Sequence, residues 1–188
     1  MPNYNSNGEL FTRSSQTISV LVVIDPDQLE GIKGSKKKDD PKMINDTEKL
    51  KRTFFMIASN ARGIDNQGTD HLAVTANVGD GINFVGITPE NNSDHAVIIY
   101  DIVGADSVLN QFVAHGAHRS GAVQASTKSL DGLPAEHVSR NFMSLHTTAK
   151  RPGKAKFLIR FALYKLDKSG QKQELAGYYQ YDPEIIVK

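Results

Sequence analysis

The 188-residue chain has no cysteine and no tryptophan. Without cysteine, disulfides, thiolate metal ligands and cysteine nucleophiles are all excluded. Long apolar runs are also missing. The longest, VLVVI at 20–24 and AVII at 96–99, fall far short of the ~18 residues a membrane helix needs. The polar opening MPNYNSNGELFTRSSQ has no apolar stretch of signal-peptide length. Charge of one sign is scarce as well. A net charge of +1 marks the chain as neither a nucleic-acid binder nor a membrane binder. No G-x-S-x-G, G-x-G-x-x-G or phosphate-binding loop occurs, and Ser35, Ser120 and Ser169 beside glycines read as turn chemistry. No catalytic residue, cofactor site or metal site is therefore assigned. What these absences leave is a near-neutral globular chain, expected as a polar N-terminal arm (1–15) followed by a single domain (16–188).

What is present is strand patterning. In FLIRFALYKL, Phe157, Ile159, Phe161 and Leu163 share one parity. After the DKSG turn, Leu175, Tyr179, Tyr181, Ile185 and Val187 share one parity too. This is the strongest hairpin signal in the chain. TISVLVVI at 17–24 is β-branched on both parities, which predicts a central strand buried on both faces. Asp25-Pro26-Asp27 ends it. Residues 28–50 read as a long connection carrying a solvated charge cluster, Lys36 to Asp40, with a short helical turn capped by Asp46.

From Thr53 onward, strand signals alternate with turns. TFFMIAS (53–59), HLAVTANV (71–78), INFVGI (82–87) and AVIIYDIV (96–103) are the clearest strands. Asp80-Gly81 between two alternating runs predicts a type I′ hairpin joining 71–78 to 82–87, with Leu72, Val74, Ala76 and Val78 inward. Weaker strands follow at 110–115, 120–126 and 142–148, and AEHVSRNF at 135–142 is ambiguous with helix. The expected fold is all-β: an antiparallel β-sandwich, jelly-roll or Ig-like, of about 8–10 strands with at most short helices.

Three stretches occur in order: ISVLVVIDPDQL, LAVTANVGDGINF, and FLIRFALYKLD with LAGYYQYDPEIIV. Together they resemble the PixA/AidA family of bacterial inclusion-body proteins, over residues 17–188. The resemblance implies a protein of a host-associated bacterium that accumulates as cytoplasmic inclusions, and it supplies no catalytic mechanism. This chain departs from the family in two ways. Tyr181 stands before Asp-Pro where tryptophan is frequent, and four methionines are too few for a sulfur store.

Asp182-Pro183 inside the last strand predicts an edge, a bulge or a strand changing sheets. Tyr178, Gln180, Asp182 and Pro183, on or beside the outward face, are the candidate ligand or self-association residues. His115 and His118 are a candidate polar loop site, Gly116 and Gly121 suggesting a loop. Asp25, Asp27, Asp65, Asp70, Asp80 and Asp94 at strand ends raise a calcium site, because calcium takes six to eight oxygens. Asp101 and Arg160 are a candidate pair. Two functions follow: a non-enzymatic homo-oligomer accumulating in the cytoplasm (export by an uncommon route left open), or a lectin-like module binding a glycan or host ligand, calcium-assisted.

Overall fold

The computed structural model describes residues 15–187. The expected arm at 1–15 therefore lies outside the described residues except for Ser15. In chain order come β1 (Thr17–Ile24), β2 (Lys42–Met43), the helix α1 (Thr47–Thr53), β3 (Phe54–Ser59), β4 (Ile64–Asp65) and β5 (His71–Val74). Next are β6 (Gly81–Ile87), β7 (His95–Val103), β8 (Val113–Gln124) and β9 (Glu136–Thr148). The last four are β10 (Gly153–Lys156), β11 (Leu158–Leu166), β12 (Gln173–Tyr181) and β13 (Glu184–Val187). The fold is all-β.

Three sheets form, ordered β3-β1-β6-β9-β8, β2-β12-β11-β7 and β10-β13-β5-β4. They are mixed rather than purely antiparallel, because β1–β6, β12–β2 and β13–β5 run parallel. The first two sheets pack face to face. Phe54 of β3 stacks on Tyr181 at 3.6 Å between centroids and meets Phe161 edge-on at 5.8 Å. Phe84 of β6 meets Phe157 edge-on. Gly86 lets β7 come close, since a Cβ there would lie 2.8 Å from Ile99 Cγ1.

The C-terminal hairpin behaves as its parity predicts. Phe157, Ile159, Phe161, Leu163, Tyr179, Tyr181, Ile185 and Val187 are all buried. A bulge opposite Leu163/Tyr164 shifts the register, leaving Leu175 half-buried. The hairpin spans two sheets: β11 and β12 pair in one, β10 and β13 in another. It turns the corner at Phe157 and Asp182-Pro183, where the Phe157 N–H donates to the Pro183 carbonyl at 3.3 Å. A proline at the corner removes no ladder donor.

Three expectations need correction. The type I′ hairpin at Asp80-Gly81 does not form. Such a turn needs positive φ at both central residues, and here only Gly79 has it. Instead the Gly81 N–H donates to Gln16 O, and β6 pairs with β1 and β9 while β5 pairs with β13 and β4. Leu72, Val74 and Ala76 are buried, but Val78, beyond the end of β5, is exposed. Secondly, β1 is central, yet its second face is only half-covered at Leu21 and Val23, because β-branched residues mark strand propensity as much as burial. Thirdly, residues 113–124 and 136–148 are two long strands, not short ones, and 135–142 contains no helix.

The Asp46 cap forms as expected, and Asp25, expected only to end β1, caps as well. Asp25 accepts the Asp27 N–H where a 3-10 turn (Pro26–Leu29) opens, and Asp46 accepts from Glu48 and Lys49 N–H at the start of α1.

Candidate functional site

Two surfaces carry the candidate residues. The first is the outward face of the β2-β12-β11-β7 sheet. Alternation along β11 turns Arg160 away from the core. Its Nη1 donates to Asp101 Oδ2 at 3.0 Å and its Nε to Gln180 Oε1 at 3.2 Å. The candidate pair is thus a cross-strand row of three polar side chains. Tyr178 meets Tyr100 edge-on at 5.7 Å. Tyr100 donates its hydroxyl to the Lys38 carbonyl at 2.8 Å, and the Lys38 ammonium sits 5.1 Å from the Tyr100 ring centre. Burial pushes the Tyr100 phenol up to about 12, the nearby Arg160 charge opposing it. That hydroxyl stays protonated at neutral pH and acts as a donor, not a base.

The edge beside these residues is closed. The Tyr178 N–H donates to Ser35 O at 2.8 Å, and the Ser35 N–H returns to Tyr178 O at 3.1 Å. β2 then pairs with Tyr179 and Gln180. Gly34 and Gly177 permit this approach, since a Cβ on Gly177 would lie 2.7 Å from the Gly34 Cα. Asp182 is exposed, but Pro183 is buried at the corner and β13 has partners on both sides. Pro183 therefore opens no strand edge.

The second surface is the ribbon of β8 and β9. His115 and His118 lie on β8, in a strand rather than a loop. An offset of three puts them on opposite faces. His118 Nδ1 lies 2.9 Å from Asn141 Oδ1 across the ribbon, while His115 lines a groove. They do not converge on one ion. Among the described residues, no three His, Asp or Glu are close enough to hold a metal ion. The strand-end aspartates are dispersed, and Asp80 is occupied. It accepts Asn77 N–H (2.7 Å), Gln16 N–H (3.0 Å) and Arg62 Nη1 (2.5 Å). Burial alone would raise its pKa, but these donors and the Arg62 charge outweigh it and hold the carboxyl below its ordinary range.

The ribbon and its groove were missed by sequence reasoning. Among the described residues, β9 pairs with β6 only from Leu145 to Thr148, and its outer part pairs with β8 alone. β9 and β6 thus part like a fork. The groove in that fork, about 580 Å³, is lined by Val85, Ile98, His115, Arg140, Phe142 and Met143 among others. Ten large hydrophobic side chains are exposed among the described residues. Eight lie here: Val113, Val123, Leu130, Leu133, Phe142 and Met143 on the ribbon and its connecting turn, Val85 and Ile98 across the groove. The available signal was the mixed polarity of 113–124, where no parity is consistently apolar.

A family model for inclusion body proteins, PixA, matches residues 16–187. The crystal structure of an inclusion body protein (PixA) from Burkholderia cenocepacia J2315 superposes with a TM-score of 0.77 at 25% identity, covering 96% of this chain and all of that one. No curated protein matches. No helix among the described residues is long and apolar enough to cross a membrane. With the match spanning nearly the whole chain, this protein belongs to the PixA family of inclusion body proteins.

Proposed function

We infer that this chain is a non-enzymatic building block that self-associates and accumulates as cytoplasmic inclusions in a host-associated bacterium. The observation carrying this reading is the concentration of exposed apolar side chains, eight of the ten among the described residues, on the β8–β9 ribbon, its connecting turn and the groove beside it. Scattered exposed leucines need no explanation, whereas a contiguous apolar patch points to an interaction. Near-zero net charge weakens the repulsion that keeps copies apart. Several polar groups are engaged in structure: Asp80 with Arg62, and Arg160 with both Asp101 and Gln180.

The glycan-binding alternative draws less support. A sugar stacks on a flat, open aromatic face. Tyr178 instead meets Tyr100 edge-on, with Lys38 over the Tyr100 ring. Fluorescent tagging in expressing cells, combined with sedimentation velocity over a concentration series, tests the proposal. Bright cytoplasmic particles and a sedimentation coefficient rising with concentration are expected. A diffuse signal with a monomer at every concentration would sink it.

A further inference from the structure

We propose that the β8–β9 ribbon is an arm by which two copies of this chain clasp one another, each arm seated over the other's groove. The proposal rests on the self-association reading and names the surface that performs it.

The ribbon is a problem for an isolated chain. Its outer part consists of two strands, exposed on both faces. A two-stranded hairpin is at best marginally stable in water unless a third strand or another layer supports it. Among the described residues, β6 supports only the root, through Leu145 to Thr148. A further layer over the rest would supply the support that β6 does not.

Size and shape favour a second copy. The outer part, residues 115–124 against 136–144, makes an arm about 30 Å long and about 10 Å wide. Its two faces present roughly 600 Å², and with the adjoining groove this approaches the ~800 Å² each partner contributes to a standard interface. Arm and groove adjoin on one surface, because Phe142 and Met143 belong to both. A two-fold contact needs a single self-complementary patch, and a projection beside a recess provides one. β7 is the last strand of its sheet and β8 of its own, so both edges at this surface are available for backbone pairing.

Charge agrees. Arg119 and Arg140 face each other directly across the ribbon, and like charges so placed destabilise it. Neither forms an ion pair among the described residues. Glu90 and Asp94 lie on the β6–β7 turn, whose Asn92 lines the groove, and they form none either. An arm laid over a partner's groove brings its arginines towards that acidic turn.

The test is sedimentation of the full chain, wild type against Phe142→Glu, with Ile57→Glu as control. Ile57 is exposed on β3, at the opposite edge of the same sheet. The expected result is a wild-type dimer or larger assembly, weakened about 30-fold or more by Phe142→Glu, the scale of losing a central anchor, and unchanged by Ile57→Glu. Hydrogen exchange on wild type at low and high concentration reads the same surface without mutation, with protection expected at 113–148 and 85–98. A wild-type monomer at all concentrations overturns both this proposal and the self-association reading. Assembly that survives Phe142→Glu, or protection confined elsewhere, overturns the arm alone.

Discussion

Phe54 and Val123 stand on the two edge strands of one five-stranded sheet, and their surroundings are opposite. Phe54 is fully buried, stacked on Tyr181 and packed against Phe161, whereas Val123 leaves 66% of its surface in water. Both strands satisfy the same backbone rules. Only one has a second layer beneath it. The comparison shows that ladder geometry is cheap to form locally, while stability comes from what the strand covers. The sandwich around Phe54 explains itself within one chain. The ribbon around Val123 does not, and that imbalance is what directs attention to it.

The largest test of this contrast is Phe161→Ala. Phe161 is fully buried between the two layers, touching Phe54 edge-on and Tyr179 in a stacked arrangement. Truncation opens a cavity between the sheets and is expected to cost about 3–5 kcal/mol in denaturant unfolding. A loss below 1 kcal/mol would mean the two layers are not held by this cluster.

Asp80→Asn comes next. The carboxylate ties the end of β6 to Gln16 ahead of β1 and to Arg62, and hydrogen bonds to a charged group are worth about 1.5–3 kcal/mol. Removing the charge is expected to cost about 3 kcal/mol near neutral pH. The pH dependence has a definite sign. The folded-state pKa lies below the unfolded value of about 3.9. The contribution is therefore present above that unfolded value and is lost as pH falls through the folded one. Urea unfolding of the variant at pH 7 and in acid should show this part of the acid sensitivity gone. An acid limb identical to wild type would remove Asp80 from the account.

How much was legible follows the same divide. The C-terminal hairpin was readable because one face is buried, so Phe157 to Leu163 and Tyr179 to Val187 carry a period of two. Even its corner was readable, since Pro183 needs a reason to sit in a strand. The Asp80-Gly81 hairpin was misread because local turn chemistry says nothing about distant partners. Asp80 holds Asn77, Gln16 and Arg62 through its side chain instead of opening a two-residue turn. His115 and His118 were misplaced because both faces of β8 are wet, so no alternation marks it as a strand and the glycines dominate the reading. The closed edge beside Tyr178 was invisible too, since it depends on Ser35, some 140 residues away in sequence.

A smaller effect of opposite sign tests whether the body is well satisfied. The Tyr181 hydroxyl is buried and has no hydrogen-bond partner among the described residues, and burial, with Asp70 nearby, holds its pKa well above the ordinary value. Tyr181→Phe keeps the stack on Phe54 and removes the orphan group. It is expected to stabilise the chain by about 1 kcal/mol, read as a higher urea midpoint at unchanged slope. A destabilisation of that size would reveal a partner for the hydroxyl.

The smallest expected effect lies on the ribbon. Val123→Thr keeps the β-branched shape and changes one methyl to hydroxyl at a position already in water, so in dilute solution it should alter unfolding by no more than about 0.5 kcal/mol. The informative variable is concentration. If Val123 is covered only when copies meet, its cost must grow with protein concentration, because binding that favours the folded state adds stability by mass action. Midpoints measured at low and high micromolar protein separate the two cases. A penalty that is constant across that range would leave the ribbon uncovered in every state sampled. A penalty that appears only at the higher concentration would place the missing layer for β8 on another molecule.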